Sequence, residues 1–355
     1  MPAVSTSNIL ALPRVDAPAF EARPRRVRTV TPSQHTFEGA GFPVRRPTAD
    51  PRAWEALDPI LMLDHMTAAY EPHEAKGAPW HPHRGFETVT YLMDGTFVHT
   101  DSHGGGGVIG NGDTQWMTAG SGLLHDELPS EYLVMNGGEF DGIQMWVNLP
   151  GSAKMHRPRY QDIVGDRLTL LSSADGGTLI RVIAGRVGEH EGPGKTFSPI
   201  NLIHLSLAPG AQVRIPWVPG WSAMAYSLHG DGYVGDERRP LDESDMAVFS
   251  TDGNYLTVEA AREQHWKTGA MEVVLFGGQP IREPVARYGP FVMNSKDEIY
   301  QAIEDFRSGR MGEVPAGYEG RDWAPAPDEF NQPAAQGCEI MFGPEWRRDS
   351  RSNEQ

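Results

Sequence analysis

Short apolar runs, mostly β-branched or aromatic and closed off by turn-forming residues, recur along most of the chain. They include Glu87 to Met93 (ETVTYLM), Gly142 to Leu149 (GIQMWVNL), Leu179 to Ala184 (LIRVIA), Ile200 to Leu207 (INLIHLSL) and Met271 to Phe276 (MEVVLF). Each has the length and residue types of a strand. Helical segments do not alternate with them, so the pattern predicts sandwiches or barrels and argues against a doubly wound sheet. One late segment differs. In SKDEIYQAIEDFRSGRMG the apolar residues Ile299, Ile303 and Phe306 form a single stripe, Ser295 and Glu298 have capping-box spacing, and Gly309 supplies a stop. This predicts a helix over about 296–308, packed on the second lobe. From about 313 onward Pro, Gly and charge dominate, with isolated Tyr318, Trp323 and Phe330. That stretch, like the first thirty or so residues, reads as a tail that drapes over the body or is partly disordered.

Faint internal repetition links NGDTQWMTAG at 111–120 with ESDMAVFSTDG at 243–253. Each has an Asp after a turn residue, an apolar run and a small-residue turn, as two tandem copies of one barrel would show, with a boundary near 150–165. A length of 355 residues with 39% hydrophobic content fits two cores. The 40 glycines and 29 prolines are scattered between the runs and fit an all-β chain rich in turns.

Charge then narrows the function classes. The formal net charge of −16 offers no broad basic surface to phosphates, so direct nucleic-acid binding is not expected. The one dense basic cluster, Arg23, Arg25, Arg26 and Arg28, reads as a solvated arm against an acidic body. Cys338 is the sole cysteine, which rules out an intrachain disulfide and fits a reduced, cytoplasmic setting. The stretch Ile9 to Leu12 is too short for a secretory core, and no run approaches the ~20 apolar residues of a membrane span.

Candidate chemistry lies in two pairs. In 80-WHPHRGFETVTYLMDG-95, His81 and His83 are two apart, so on an extended chain both imidazoles face one interior. In 112-GDTQWMTAGSGLLHDELP-129, His125 and Glu127 repeat that spacing, with Asp126 pointing outward. Three nitrogens and one carboxylate suit a divalent transition metal better than calcium or magnesium. Glu87, four after His83, is open to three readings: a fifth ligand, a hydrogen-bonding partner of the ligands, which is favoured, or a plain structural acceptor. Gln115 is placed to hydrogen-bond a ligand, and Trp116 to fill core. His99 and His103 fall in the intervening glycine-rich loop, which lacks the following GK[ST] of a phosphate loop. No serine nucleophile elbow is present, and Cys338 has no base nearby in sequence, so any catalysis falls to a metal.

The segments HPHRGFETVTYLMDG, DSHGG, GDTQWMTAGSGLLHDE and QMWVNLP with KMHRPRYQ closely resemble the pirin family of the cupin superfamily, nearly continuously from Leu57 to Ile163. A looser likeness, including LFGGQPIREPVARYGPFVMNS, runs to about 309. The resemblance implies two tandem cupin-type β-barrel (jelly-roll) domains. An extension over 1–35 precedes a metal-binding domain over 36–160, and a domain without metal ligands over 161–311 precedes a tail over 312–355. It places the metal on His81, His83, His125 and Glu127, with Fe(II) favoured over Mn, Ni, Co, Cu or Zn, and makes Glu127 the natural catalytic base. The activity it implies is a quercetinase-like dioxygenase acting on a small aromatic substrate with dioxygen. Its alternative is a redox-sensitive, non-catalytic regulator acting through a protein partner. Asn111 stands where the family often has Pro, and Asp126 where it has a small residue. The second lobe has no HxH pair, and NYLTVE stands where the first has HDE, so that lobe is expected to be structural.

Overall fold

The computed structural model describes residues 4–50 and 54–313, together with the backbone of 339–341. The expectations attached to Tyr318, Trp323, Phe330 and Cys338 fall outside these residues. Each lobe is a pair of antiparallel sheets, one of seven strands and one of four. In the first lobe the large sheet is centred on Phe86–Asp94, Gly138–Asn148 and Ile60–Tyr70. Its small sheet runs in the order Ala78–His83, Leu123–Pro129, Phe97–Asp101, Gly106–Ile109. The second lobe repeats this plan, with a small sheet ordered Gln212–Pro216, Tyr255–Ala260, Gly232–Val234, Arg239–Leu241.

The two large sheets pack face to face. Leu63, Val89, Tyr91, Ile143 and Met145 of the first lobe share a core with Leu202, Met224, Tyr226, Val274 and Phe276 of the second. The first lobe's large sheet is therefore covered on both faces, by its own small sheet and by the other lobe. This explains why ETVTYLM lacks a clean polar alternation: Thr88 and Thr90 turn toward the small sheet, Val89 and Tyr91 toward the second lobe, and all are buried.

Both ends of the described chain cross between lobes. Val27–Pro32 pairs with Asp245–Phe249 as the edge strand of the second lobe's large sheet. Arg25, expected in a solvated arm, is fully buried and donates to the carbonyls of Gly253, Trp221, Ser250 and Val218. At the other end, the helix Lys296–Arg307 forms where its capping pattern places it, with Ser295 Oγ accepting from the Glu298 N–H at 3.3 Å. It does not pack on the second lobe's barrel, however. Ile299, Ala302 and Ile303 bury against Phe291 and Met293 and against Trp80 and Leu124 of the first lobe. After Gly278 the chain returns to the first lobe, which sequence periodicity could not show.

Candidate metal centre

Ala78–His83 and Leu123–Pro129 are neighbouring strands in which His81 lies opposite His125 and His83 opposite Leu123. Alternation turns His81, His83 and His125 to the inner face, where one nitrogen from each lies within 4.8 Å of the others. Leu124, on the outer face, is covered by the helix, and Asp126, expected to point outward, is buried as well.

The hydrogen bonds fix the tautomers. His81 Nδ1 lies 2.7 Å from the Pro79 carbonyl and His83 Nδ1 lies 3.3 Å from the Pro290 carbonyl. A carbonyl only accepts, so both Nδ1 atoms carry the proton, and in the neutral rings both Nε2 atoms present lone pairs. Those two Nε2 atoms are 3.0 Å apart. Burial holds both rings below the usual imidazole range, His83 well below it, with the His81 ring beside it lowering it further. Two neutral acceptors facing each other repel unless a cation lies between them. His125 completes the pattern: burial, with His81 and His83 nearby, holds it well below the usual range, and its Nε2 is buried without a hydrogen-bond partner. Three deprotonated, inward-facing nitrogens are the donor set a borderline transition metal takes.

Glu127 is held differently. Its carboxylate accepts from Gln144 Nε2 at 2.7 Å, from Thr90 Oγ1 at 3.1 Å and, more distantly, from Gln115 Nε2 at 3.5 Å. Its donor atoms group with those of His125 and His99. His99, read from sequence as a loop residue, lies on the strand Phe97–Asp101, is 1% exposed and stacks on Tyr160. Its Nδ1 lies 2.7 Å from Gln115 Nε2 and 3.3 Å from His125 Nδ1. Acceptance at that nitrogen leaves Nε2–H directed toward Asp101, 3.9 Å away. Asp101, which burial alone would raise, is held below the carboxylate range by His99 and by the N–H groups of Gly105 and His103. With its Nδ1 facing His99, His125 turns its Nε2 to the centre.

Glu87 is not a partner of the ligands. The strand containing His81 and His83 ends before Gly85, whose φ is +89°, and a new strand in the other sheet begins at Phe86. Glu87 therefore faces away, accepting from Thr118 Oγ1 at 2.6 Å, and burial pushes it up to about 7. Gln115 does meet the candidate ligand Glu127, and Trp116 is core. Sequence reasoning missed His99 and Gln144. His99 shares the period-two face of Phe97 and Asp101 in FVHTD, and Gln144 is the lone polar side chain inside GIQMWV, so each left a faint signal.

In the second lobe, the strands that match the ligand-bearing pair by topology are Gln212–Pro216 and Tyr255–Ala260. Their inward residues, Val213, Ile215, Leu256 and Val258, are packed hydrophobic core. A second histidine–carboxylate group lies in the seam between lobes. His65 Nε2 and His229 Nε2 lie 2.9 and 2.7 Å from the two oxygens of Asp141. There each N–H meets a carboxylate oxygen, so hydrogen bonds alone account for the geometry.

Two tandem double-sheet barrels, of which only the first carries inward imidazoles, define a two-lobed cupin with one candidate metal centre. Sequence comparison makes this specific: residues 41–147 match the family model described as Pirin, and 202–312 match the Pirin C-terminal cupin domain. The chain belongs to the pirin family. It is 38% identical to human pirin over 285 residues, covering 79% of this chain and 91% of that protein. A Pseudomonas aeruginosa protein named provisionally as a quercetin 2,3-dioxygenase is 40% identical over 275 residues, covering 77% of this chain and 93% of that one. A crystal structure titled quercetin 2,3-dioxygenase from Acinetobacter baumannii superposes with a TM-score of 0.76 at 36% identity, over 82% of this chain and 99% of that one. Among the described residues no helix is long and apolar enough to cross a membrane.

Proposed function

We propose that this protein is a metal-dependent dioxygenase that opens flavonols or related enolisable aromatic compounds, with Fe(II) held by His81, His83, His125 and Glu127. The observation that carries the metal assignment is the pair of Nε2 atoms facing each other at 3.0 Å beside the unpartnered His125 Nε2. The likeness to the Pseudomonas and Acinetobacter proteins supports the reaction class. When bound, the metal supplies a Lewis acid that acidifies an enolic hydroxyl and a place for dioxygen to react.

The chain supplies the rest. Glu127 takes the proton of the substrate hydroxyl: the O–H bond breaks, a carboxyl O–H forms and the substrate is left as its enolate. Gln144 and Thr90 hold the carboxylate in place for that transfer. The imidazoles stay neutral because burial disfavours their charged forms. A cleft of about 320 Å³, lined by Arg46, Trp54, Met62 and Arg287 among others but by none of the four proposed ligands, is large enough for a small aromatic molecule. Trp146 lies between Arg287 and His83, with ring-centroid distances of 4.8 Å to the guanidinium and 5.3 Å to the imidazole.

The test is aerobic incubation of the protein, loaded in turn with Fe(II), Mn, Co or Ni, with quercetin, following loss of its visible absorbance together with carbon monoxide release. Turnover is expected, with Glu127→Gln retaining metal and losing about 10²–10⁴-fold in rate. Full turnover by a metal-retaining Glu127→Gln would remove Glu127 as the base. The second reading, a redox-sensitive regulator acting on a protein partner, is favoured by the near-complete burial of His83, His125 and Glu127. Absence of turnover with every metal would count against the enzyme and move the balance to that reading.

A further inference from the structure

The ligand His83 takes its orientation from the other half of the molecule. Its Nδ1–H points at the carbonyl of Pro290, a residue of the segment that returns after the second lobe is complete. His81 and His125, by contrast, are oriented by Pro79 and His99 of their own lobe. The returning segment, 285–311, is fastened around the ligand strands at several points. The Val292 N–H donates to the Arg84 carbonyl at 3.0 Å, immediately after His83. Arg84 NH1 forms an ion pair with Asp305 of the helix at 2.8 Å, and Arg84 Nε donates to the Ser121 carbonyl at 2.7 Å, close to the second ligand strand. Ser102 Oγ donates to the Met311 carbonyl at 3.1 Å while accepting from the Leu124 N–H at 3.0 Å, next to His125.

Lys154 ties the same corner from beneath. It is 1% exposed, and its ammonium donates to the carbonyls of Gly85 and Val292 at 2.8 and 3.0 Å and to Asn148 Oδ1 at 2.7 Å. Three protons meet three acceptors, and two of those acceptors lie on opposite sides of the joint between the ligand turn and the returning segment. Gly85 fits there because it has no side chain: a Cβ would sit 1.9 Å from the Val292 oxygen. Arg287 of the same segment covers Trp146, whose edge packs on His83.

We infer that segment 285–311 is a strap that completes the metal centre by fixing His83, so that strap docking and metal binding are energetically coupled. Pro290, Arg84, Lys154 and Asp305 act on the metal only through His83 and the ligand strands, and are positioning groups. The coupling is reciprocal: whatever the docked strap adds to metal affinity, bound metal adds to strap docking. The inference rests on the proposed role of His83 as a ligand but not on the dioxygenase reaction.

The experiment uses the full chain and Co(II), whose visible ligand-field absorption reports coordination without turnover. Hydrogen exchange of residues 285–307 should slow when Co(II) is bound, while exchange at Met271–Gly278 in the second lobe's core should not change. Asp305→Asn and Lys154→Met should release Co(II) to a chelator about 10–100-fold faster, the usual scale for loss of an outer orienting contact, with an altered visible spectrum. Lys154→Met leaves three buried acceptors unpaired, so Asp305→Asn, which keeps the size of its side chain, is the variant that keeps the test sound if the former fails to fold. Strap exchange indifferent to Co(II), or unchanged Co(II) release and spectrum in a folded variant, overturns the coupling. Absence of Co(II) binding by the unaltered protein would instead overturn the ligand assignment itself.

Discussion

At the scale of single residues, the centre is built as much by what holds the imidazoles as by the imidazoles themselves. His99 makes no claim on the metal in our assignment, yet it receives the Nδ1 proton of His125 and is itself backed by Asp101. His99→Ala should weaken metal binding by about 10–100-fold with little change in thermal stability of the metal-free protein, as competition against a chelator would measure. Glu87 makes the opposite point. Fully buried and raised to about 7 by desolvation, it binds a proton in the folded state that the unfolded chain, near 4.5, has already lost. Stability from this group therefore declines as pH rises from about 4.5 to 7, and Glu87→Gln should stabilise the protein by about 1–3 kcal/mol at pH 8 but little at pH 4. Denaturant midpoints at the two pH values decide it. His81, His83 and His125, whose nitrogens the structure brings together, stood out in the sequence because each pair sits on one strand at a spacing of two, whereas Glu127 groups with His125 and with His99. Glu87 was misread because Gly85 turns the chain into another sheet, and Pro290 left no trace because its contribution is a backbone carbonyl.

At the scale of elements, local signals gave existence more reliably than position. The helix Lys296–Arg307 follows from Ser295, Glu298 and an apolar stripe, but those residues say only that some surface is covered. That the surface is Trp80 and Leu124 of the first lobe depends on a chain path that no local pattern encodes. The edge strand Val27–Pro32 was hidden for a related reason. Its approach, PRRVR, looks like a charge run, whereas Arg25 is an anchor whose donors satisfy carbonyls of the second lobe's turns. Arg25→Met keeps most of the apolar stem but leaves those carbonyls unpaired. It should cost about 2–4 kcal/mol and free the edge strand, seen as faster hydrogen exchange at residues 27–32 than at Met224–His229.

At the scale of the whole molecule, the seam between lobes has an apolar core that holds two buried polar groups. In one, Asp141 receives His65 and His229. In the other, Tyr91 Oη donates to His204 Nδ1 at 2.8 Å while His204 Nε2 lies 3.1 Å from Glu272. Burial lowers His65 and His204, so their neutral forms belong to the folded state. Both resist protonation that the unfolded chain accepts near 6.5, so the stability they confer is lost as pH falls below that value. Glu272 would be raised by burial, but His204 and Arg181 bring it to about 2, and Asp141 is likewise depressed by His229 and His65. Their contribution is lost at lower pH, from about 4 downward. Urea midpoints should therefore fall in two stages on acidification, and Asp141→Asn should blunt the second stage. The tandem plan was visible in sequence as a faint repeat, and its asymmetry as a missing HxH pair. In the second lobe Val213, Ile215, Leu256 and Val258 fill the space that the histidines occupy in the first, which no local sequence pattern displays.

The crossing of the two chain ends also bears on biosynthesis. Residues 27–32 leave the ribosome early but find their partner strand only when 245–249 have followed, and the corner around His83 has no lid until 285–311 emerge. The edge strand of the second lobe's large sheet and the cover over His83 are therefore completed only after the other strands of both lobes have been made.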